Sequence, residues 1–111
     1  MKVITELPIK VRPKYDRDPV AWALWRLLVS ANQADVTASR PYAIRNFVMS
    51  LYDGTQFPVS LSIVLPYFLQ SEMPDLTTII KGFAQNQHEI QDYFERGDEI
   101  FEMLATRMLH E

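Results

Sequence analysis

Residues 39 to 58 read SRPYAIRNFVMSLYDGTQFP, and this passage settles the architecture of the chain. Ser39-Arg40-Pro41 supplies a polar cap and a proline at an early helical position, where the missing N–H breaks no helical bond. Ile44, Phe47, Val48, Leu51 and Tyr52 then recur at the i, i+3, i+4, i+7, i+8 spacing that gathers them on one face of a helix. Asp53-Gly54 closes the helix, with Gly54 expected in the left-handed conformation after the last turn and Pro58 just beyond. The passage therefore predicts a central amphipathic helix against which the other elements pack.

Downstream, Phe57 to Gln70 carries mixed signals. Val59, Leu61, Ile63 and Leu65 alternate like a strand, yet Ser60 or Ser62 suits a helix cap and Pro66 suits another helical turn. Without a strand partner elsewhere, one or two short helical turns are expected. Pro74 leads into a second amphipathic helix, whose face is predicted to comprise Leu76, Ile79, Ile80, Phe83 and Ala84, with Lys81, Gln85 and Asn86 outside. Gly82 interrupts it at about 1 kcal/mol relative to alanine, which points either to a close neighbour or to a tolerated position. The last apolar series is Ile90, Tyr93, Phe94, Ile100, Phe101, Leu104, Ala105 and Met108. It fits one long helix or two, and a break at Gly97-Asp98 is the preferred reading.

Upstream, Asp18-Pro19 is another cap-plus-proline helix start, leading to about Asn32. This helix is apolar almost all round, so it needs cover on more than one side. With Ala21, Leu24 and Leu28 facing the core, Trp22, Arg26, Val29 and Gln33 form its outer strip. Residues 1–17 alternate apolar and polar at Val3, Thr5, Leu7, Ile9 and Val11, while Pro8 and Pro13 restrict them to an edge strand or polyproline-like arm. Docking of this arm on its own domain is expected, because its apolar side needs covering.

The chain has 111 residues, 48% apolar and 23% charged, which suits one folded domain with a sizeable core. Cysteine is absent, so disulfides, thiolate metal sites and a cysteine nucleophile are excluded together. Glu6 and Pro8 interrupt any signal-like start, and the apolar run Phe57 to Leu69 is short of a membrane span, so a cytoplasmic location without membrane contact is expected. The net charge of −3 is unevenly spread. Residues 1–45 hold eight basic and four acidic side chains, and the remainder three basic and ten acidic. Such a split either steers a partner or draws one half of the fold to the other.

Catalytic patterns do not assemble. His88-Glu89-Ile90-Gln91-Asp92 imitates the helix of zinc proteases, but an aspartate replaces the second histidine, and the other histidine, His110, stands at the chain end. No metal or other cofactor is expected. Gly54, Gly82 and Gly97 are isolated, which excludes a phosphate-cradling loop, and no serine has a paired histidine. A DNA-reading helix would be polar or basic, whereas the candidates here are apolar or acidic.

Asn46-Phe47-Val48-Met49, Phe57-Pro58-Val59-Ser60-Leu61, the helix from Leu76 to Phe83, and Gly97 before Ile100-Phe101-Glu102-Met103-Leu104 appear in an order that resembles a family of uncharacterised small helical proteins. That family is encoded in proteobacterial genomes, plasmids and integrative elements. The resemblance runs from about Ala23 to Met108 and implies an all-helical fold in a bacterial or mobile-element setting; it carries no activity or catalytic residues over to this chain.

These readings converge on an all-α protein, a compact bundle of four or five helices in residues 18–111 with an extended basic arm in 1–17. The leading expectation is a non-enzymatic protein-protein interaction module, a phage or mobile-element accessory that inhibits a host defence complex. Its contact residues would be Trp22, Arg26, Glu95, Asp98, Glu99 and Glu102, types suited to hot spots or to filling a basic groove. A homodimer through Trp22 and Val29 of the first helix is a further expectation. The alternative is a nucleic-acid-associated regulator using Lys10, Arg12, Lys14, Arg17, Arg40 and Arg45.

Overall fold

The computed structural model describes residues 11–32, 39–85 and 88–109. Among them lie five α-helices: α1 (Pro19–Asn32), α2 (Ser39–Tyr52), α3 (Leu61–Val64), α4 (Met73–Ala84) and α5 (Gly97–Leu109). Short 3-10 turns at Leu65–Tyr67, Gln70–Glu72 and Ile90–Tyr93 connect them. The fold is all-α, with an isolated bridge between Pro13 and Phe94 as its extended pairing among the described residues. No described helix is long and apolar enough to cross a membrane.

Asp18 starts α1 as its sequence position predicts. One carboxylate oxygen accepts the backbone N–H groups of Val20 and Ala21 at 3.0 and 3.2 Å. Two of the helix's four orphan donors are thereby satisfied, an effect typically worth about 1 kcal/mol. Val20, Ala21, Ala23, Leu24, Leu27 and Leu28 are buried, so α1 is enclosed on a broad front.

The central position of α2 follows from its contacts with α1, α3 and α5. Ile44, Phe47 and Val48 are buried as expected, and so are Ala43, Met49 and Arg45, which lie outside the predicted stripe. Tyr52 stacks on Phe101 of α5, with ring centroids 5.3 Å apart. Phe47 meets Phe68 edge to face at 5.4 Å, anchoring the segment after α3. The helix does not end through a left-handed glycine, since no glycine in the chain has positive φ. Instead Asp53 closes it: its Oδ1 accepts the N–H groups of Thr55 and Gln56, both at 3.1 Å.

The arm docks on its own domain over residues 11–17; residues 1–10 lie outside the described part. Lys14 N–H donates to the Tyr93 carbonyl at 2.8 Å, and Glu95 N–H to the Arg12 carbonyl at 2.9 Å. Two indoles bind the arm from α1: Trp25 Nε1–H donates to the Val11 carbonyl at 3.0 Å, and Trp22 Nε1–H to the Asp16 carbonyl at 2.7 Å. The rings meet edge to face at 5.4 Å. The excess apolar surface of α1 is thus covered from within the chain.

The break before α5 also stands, although glycine serves it differently than expected. Arg96, with φ of 55°, takes the left-handed conformation. Gly97 instead allows close approach, because a β-carbon there would collide with the backbone carbonyl of Gln91. Gly82 has a similar use: an added β-carbon would lie 2.8 Å from Cγ2 of Val20. Close packing of α4 on α1 at this point buries Leu76, Ile79 and Gly82. Consequently Ile80 and Ala84, predicted to face the core, are turned to solvent.

Candidate functional site

The rotation of α4 leaves an apolar groove between the end of α2, the loop after it, α3 and α4. Its volume is about 540 Å³. Phe47 and Ile79 form the buried floor, while Leu61, Leu65 and Ile80 stand at its edges, 52%, 37% and 56% exposed. Ser50 contributes its one polar side chain among the described lining residues, and that hydroxyl already donates to the Phe47 carbonyl at 2.6 Å. The groove consequently offers dispersion and desolvation, with no converging polar groups for acid-base or nucleophilic work.

Next to it, Ile63, Tyr67, Leu69 and Met73 are also substantially exposed. Val64 and Phe68, one helical turn apart, hold the segment to the core. Residues 54–71 contain no charged side chain, although 23% of the whole chain is charged. Bare apolar side chains are normal when scattered, whereas here they follow one another along an uncharged stretch.

The expected contact residues fall elsewhere and do not form one site. Arg26 projects from α1 and makes a two-pronged ion pair with Asp75 of α4, at 2.7 and 2.9 Å. The carboxylate raises the guanidinium's pKa above its ordinary value. As a half-exposed pair it contributes about 0.2–1 kcal/mol, and it ties α1 to α4 beside a shallow cleft that includes Trp25 and Val29. Trp22 is half-buried under the arm.

Glu95, Asp98, Glu99 and Glu102 are all exposed around the start of α5. Glu99 is engaged by Arg96 at 2.7 and 3.1 Å, which lowers its pKa. Glu102 and Asp98, together with Asp53 of the α2 terminus, act on the Tyr52 hydroxyl through their charge. Burial first, and then these negative charges, raise its pKa. Asp53 thus shares an electrostatic neighbour with the acidic residues of α5, company that its position in the sequence gave no sign of.

Of the basic set, Arg12, Lys14 and Arg17 are exposed on the arm. Arg45 is 2% exposed, so it lies in the interior and not on a surface edge where phosphate would meet it. Its guanidinium lies 5.4 Å from the centroid of the Tyr42 ring. Lys10 and the side chain of Arg40 lie outside the described residues. The bridge between Pro13 and Phe94 sets Arg12 opposite Glu95, whose N–H donates to the Arg12 carbonyl.

His88 is exposed and its ring meets Tyr93 edge to face at 5.3 Å. Residues 90–93 form a 3-10 turn, which does not present positions 88 and 92 as one turn of α-helix would. No group of three or more metal-ligating side chains gathers among the described residues. No family model, curated protein or solved structure matches the chain.

Proposed function

We propose that the protein acts by binding another protein, without catalysis, through the groove between α3 and α4. The observation that carries this reading is the exposure of Leu61, Ile63, Leu65 and Ile80 around a groove of about 540 Å³. A partner's apolar side chain would fill it as an anchor residue, surrounded by contacts that exclude water. In finer form the protein is an accessory of a phage or mobile element that occupies the surface of a host defence complex.

A second reading is favoured by the acidic ridge of Glu95, Asp98 and Glu102. Its negative potential would fill a basic groove that otherwise receives nucleic acid, and would speed encounter with it. The nucleic-acid-associated alternative retains Arg12, Lys14 and Arg17 as surface contacts, without Arg45.

Affinity capture with three baits separates these readings. A partner held by wild type and by Glu102→Lys, but lost with Ile80→Asp, supports the groove. Loss with Glu102→Lys alone supports the ridge. Equal recovery with all three contradicts both. Salt-sensitive gel shifts that disappear when Arg12, Lys14 and Arg17 become alanine would favour nucleic acid instead.

A further inference from the structure

We propose that the arm over residues 12–17 binds single-stranded nucleic acid, with Arg12, Lys14 and Arg17 on phosphates and a base stacked on Tyr15. This rests on the nucleic-acid alternative for its three cations, adds the aromatic platform and the kind of strand, and leaves the groove out.

The arm presents these side chains together. Pro13 is buried and paired with Phe94, so Arg12 and Lys14, to either side of it on extended backbone, share the opposite, outer face. Asp18 N–H donates to the Tyr15 carbonyl at 3.2 Å, closing a turn that keeps Arg17 beside Tyr15. The backbone beneath is pinned by Tyr93 and Glu95 on one side and by the indoles of Trp22 and Trp25 on the other. The cations are thus held on a fixed strip before any ligand arrives.

Their charge is also free to be used. Arg26 is engaged by Asp75, Arg96 by Glu99, and Arg45 is buried, whereas Arg12, Lys14 and Arg17 are exposed and make no ion pair among the described residues. Asp16 and, across the bridge, Glu95 subtract from the field, while the Asp18 carboxylate is occupied by the first amides of α1.

Tyr15 decides the kind of ligand. It is 63% exposed and meets no other ring among the described residues, which leaves a face open to a base. A duplex hides its base faces and is read by a helix or two-stranded ribbon entering a groove, whereas this strip lies along its own domain. An anionic membrane is a poorer match, because its basic anchors count four to eight Lys and Arg, and Val11 and Pro13 are packed inward and not available for insertion.

Fluorescence anisotropy of a labelled thymidine homopolymer of about 15 nucleotides with the full chain tests the inference. Three phosphates at about 0.7 each give a logarithmic salt slope of about −2, a loss of roughly 20-fold between about 50 and 200 mM salt. Changing Arg12, Lys14 or Arg17 to alanine should reduce the slope by about 0.7 each. Tyr15→Ala and Tyr15→Leu should weaken binding about tenfold at unchanged slope, and Tyr15→Phe should bind as wild type. Emission from Trp22 and Trp25, which reports the seating of the arm, should be unchanged, and Ile80→Asp should bind as wild type.

Equal affinity for a duplex, for anionic phospholipid vesicles or for polyglutamate overturns the inference, as does a Tyr15→Ala that binds normally. If salt-sensitive binding of nucleic acid is nevertheless lost without the three cations, the nucleic-acid alternative stands and only this inference falls. Absence of binding at about 50 mM salt removes both.

Discussion

The two sides of α4 carry the same residue at adjacent positions, Ile79 and Ile80, and are opposite in fate. On one side Gly82 lies so close to Val20 of α1 that a β-carbon would have no room, and Leu76 and Ile79 are buried. On the other, Ile80 is 56% exposed over an open groove. The difference lies in how near a neighbouring backbone can come, and hydrophobicity does not report it. Close approach through a glycine draws one side shut and commits the helix to a rotation that leaves the other side bare.

Places drawn shut through a glycine should be the fragile ones, and Gly97→Ala, at the start of α5, is the largest test of that rule. An added methyl meets the rigid Gln91 carbonyl, so a loss of about 4 kcal/mol or failure to fold is expected in urea unfolding. Gly82→Ala meets Val20, whose branched side chain has few rotamers to retreat into. A net loss of about 1–2 kcal/mol is expected despite a helix-propensity gain of about 1 kcal/mol. A stabilised Gly82→Ala would mean that α1 and α4 can part, and the comparison would break.

Tyr93→Phe sharpens the same side in the opposite direction. Tyr93 is 1% exposed, and its hydroxyl has no hydrogen-bond partner among the described residues. Removing it should stabilise the fold by about 1 kcal/mol, because a buried polar group without a partner carries its full desolvation penalty. Burial, helped by the charge of Asp18, also raises the pKa of this hydroxyl above its ordinary value of 10.0. The neutral form is the one the fold favours, so its contribution is complete below about pH 10 and is lost as the pH rises through the folded value. Thermal unfolding of Tyr93→Phe should therefore show a smaller alkaline decline than wild type, with Tyr52 supplying part of what remains.

Arg96→Gly should have the smallest effect. Relief of a left-handed φ, worth about 1 kcal/mol, is set against loss of an exposed ion pair to Glu99 that solvent largely screens. A melting temperature within a few degrees of wild type is expected. A large loss would show that the turn before α5 depends on the side chain and not on the backbone.

Local signals carried much of this architecture. Asp18-Pro19, the Ile44 to Tyr52 spacing and the break at Gly97-Asp98 act within a turn or two of chain, where capping and periodicity are decisive. The same holds for the short helical turns after Phe57, which lack a strand partner. The candidate site was less legible because it depends on contacts distant in sequence. Gly82 announced only that something unusual occurred, and not that α1 would approach there and turn Ile80 outward. Arg45 gave no sign of burial, since arginine is ordinarily a surface residue. One clue was present in the run from Phe57 to Leu69, which holds more large apolar residues than two short turns can bury.

Ile79 and Ile80 give the most direct test, because they are the same residue on adjacent positions of one helix. Equilibrium unfolding of Ile79→Asp and Ile80→Asp should be measured at a concentration low enough to leave both variants monomeric. A buried charge at position 79 should abolish folding or remove several kcal/mol, whereas position 80 should stay within about 0.5 kcal/mol of wild type. Equal destabilisation of the two would contradict the account, for it would place Ile80 in the core and close the groove.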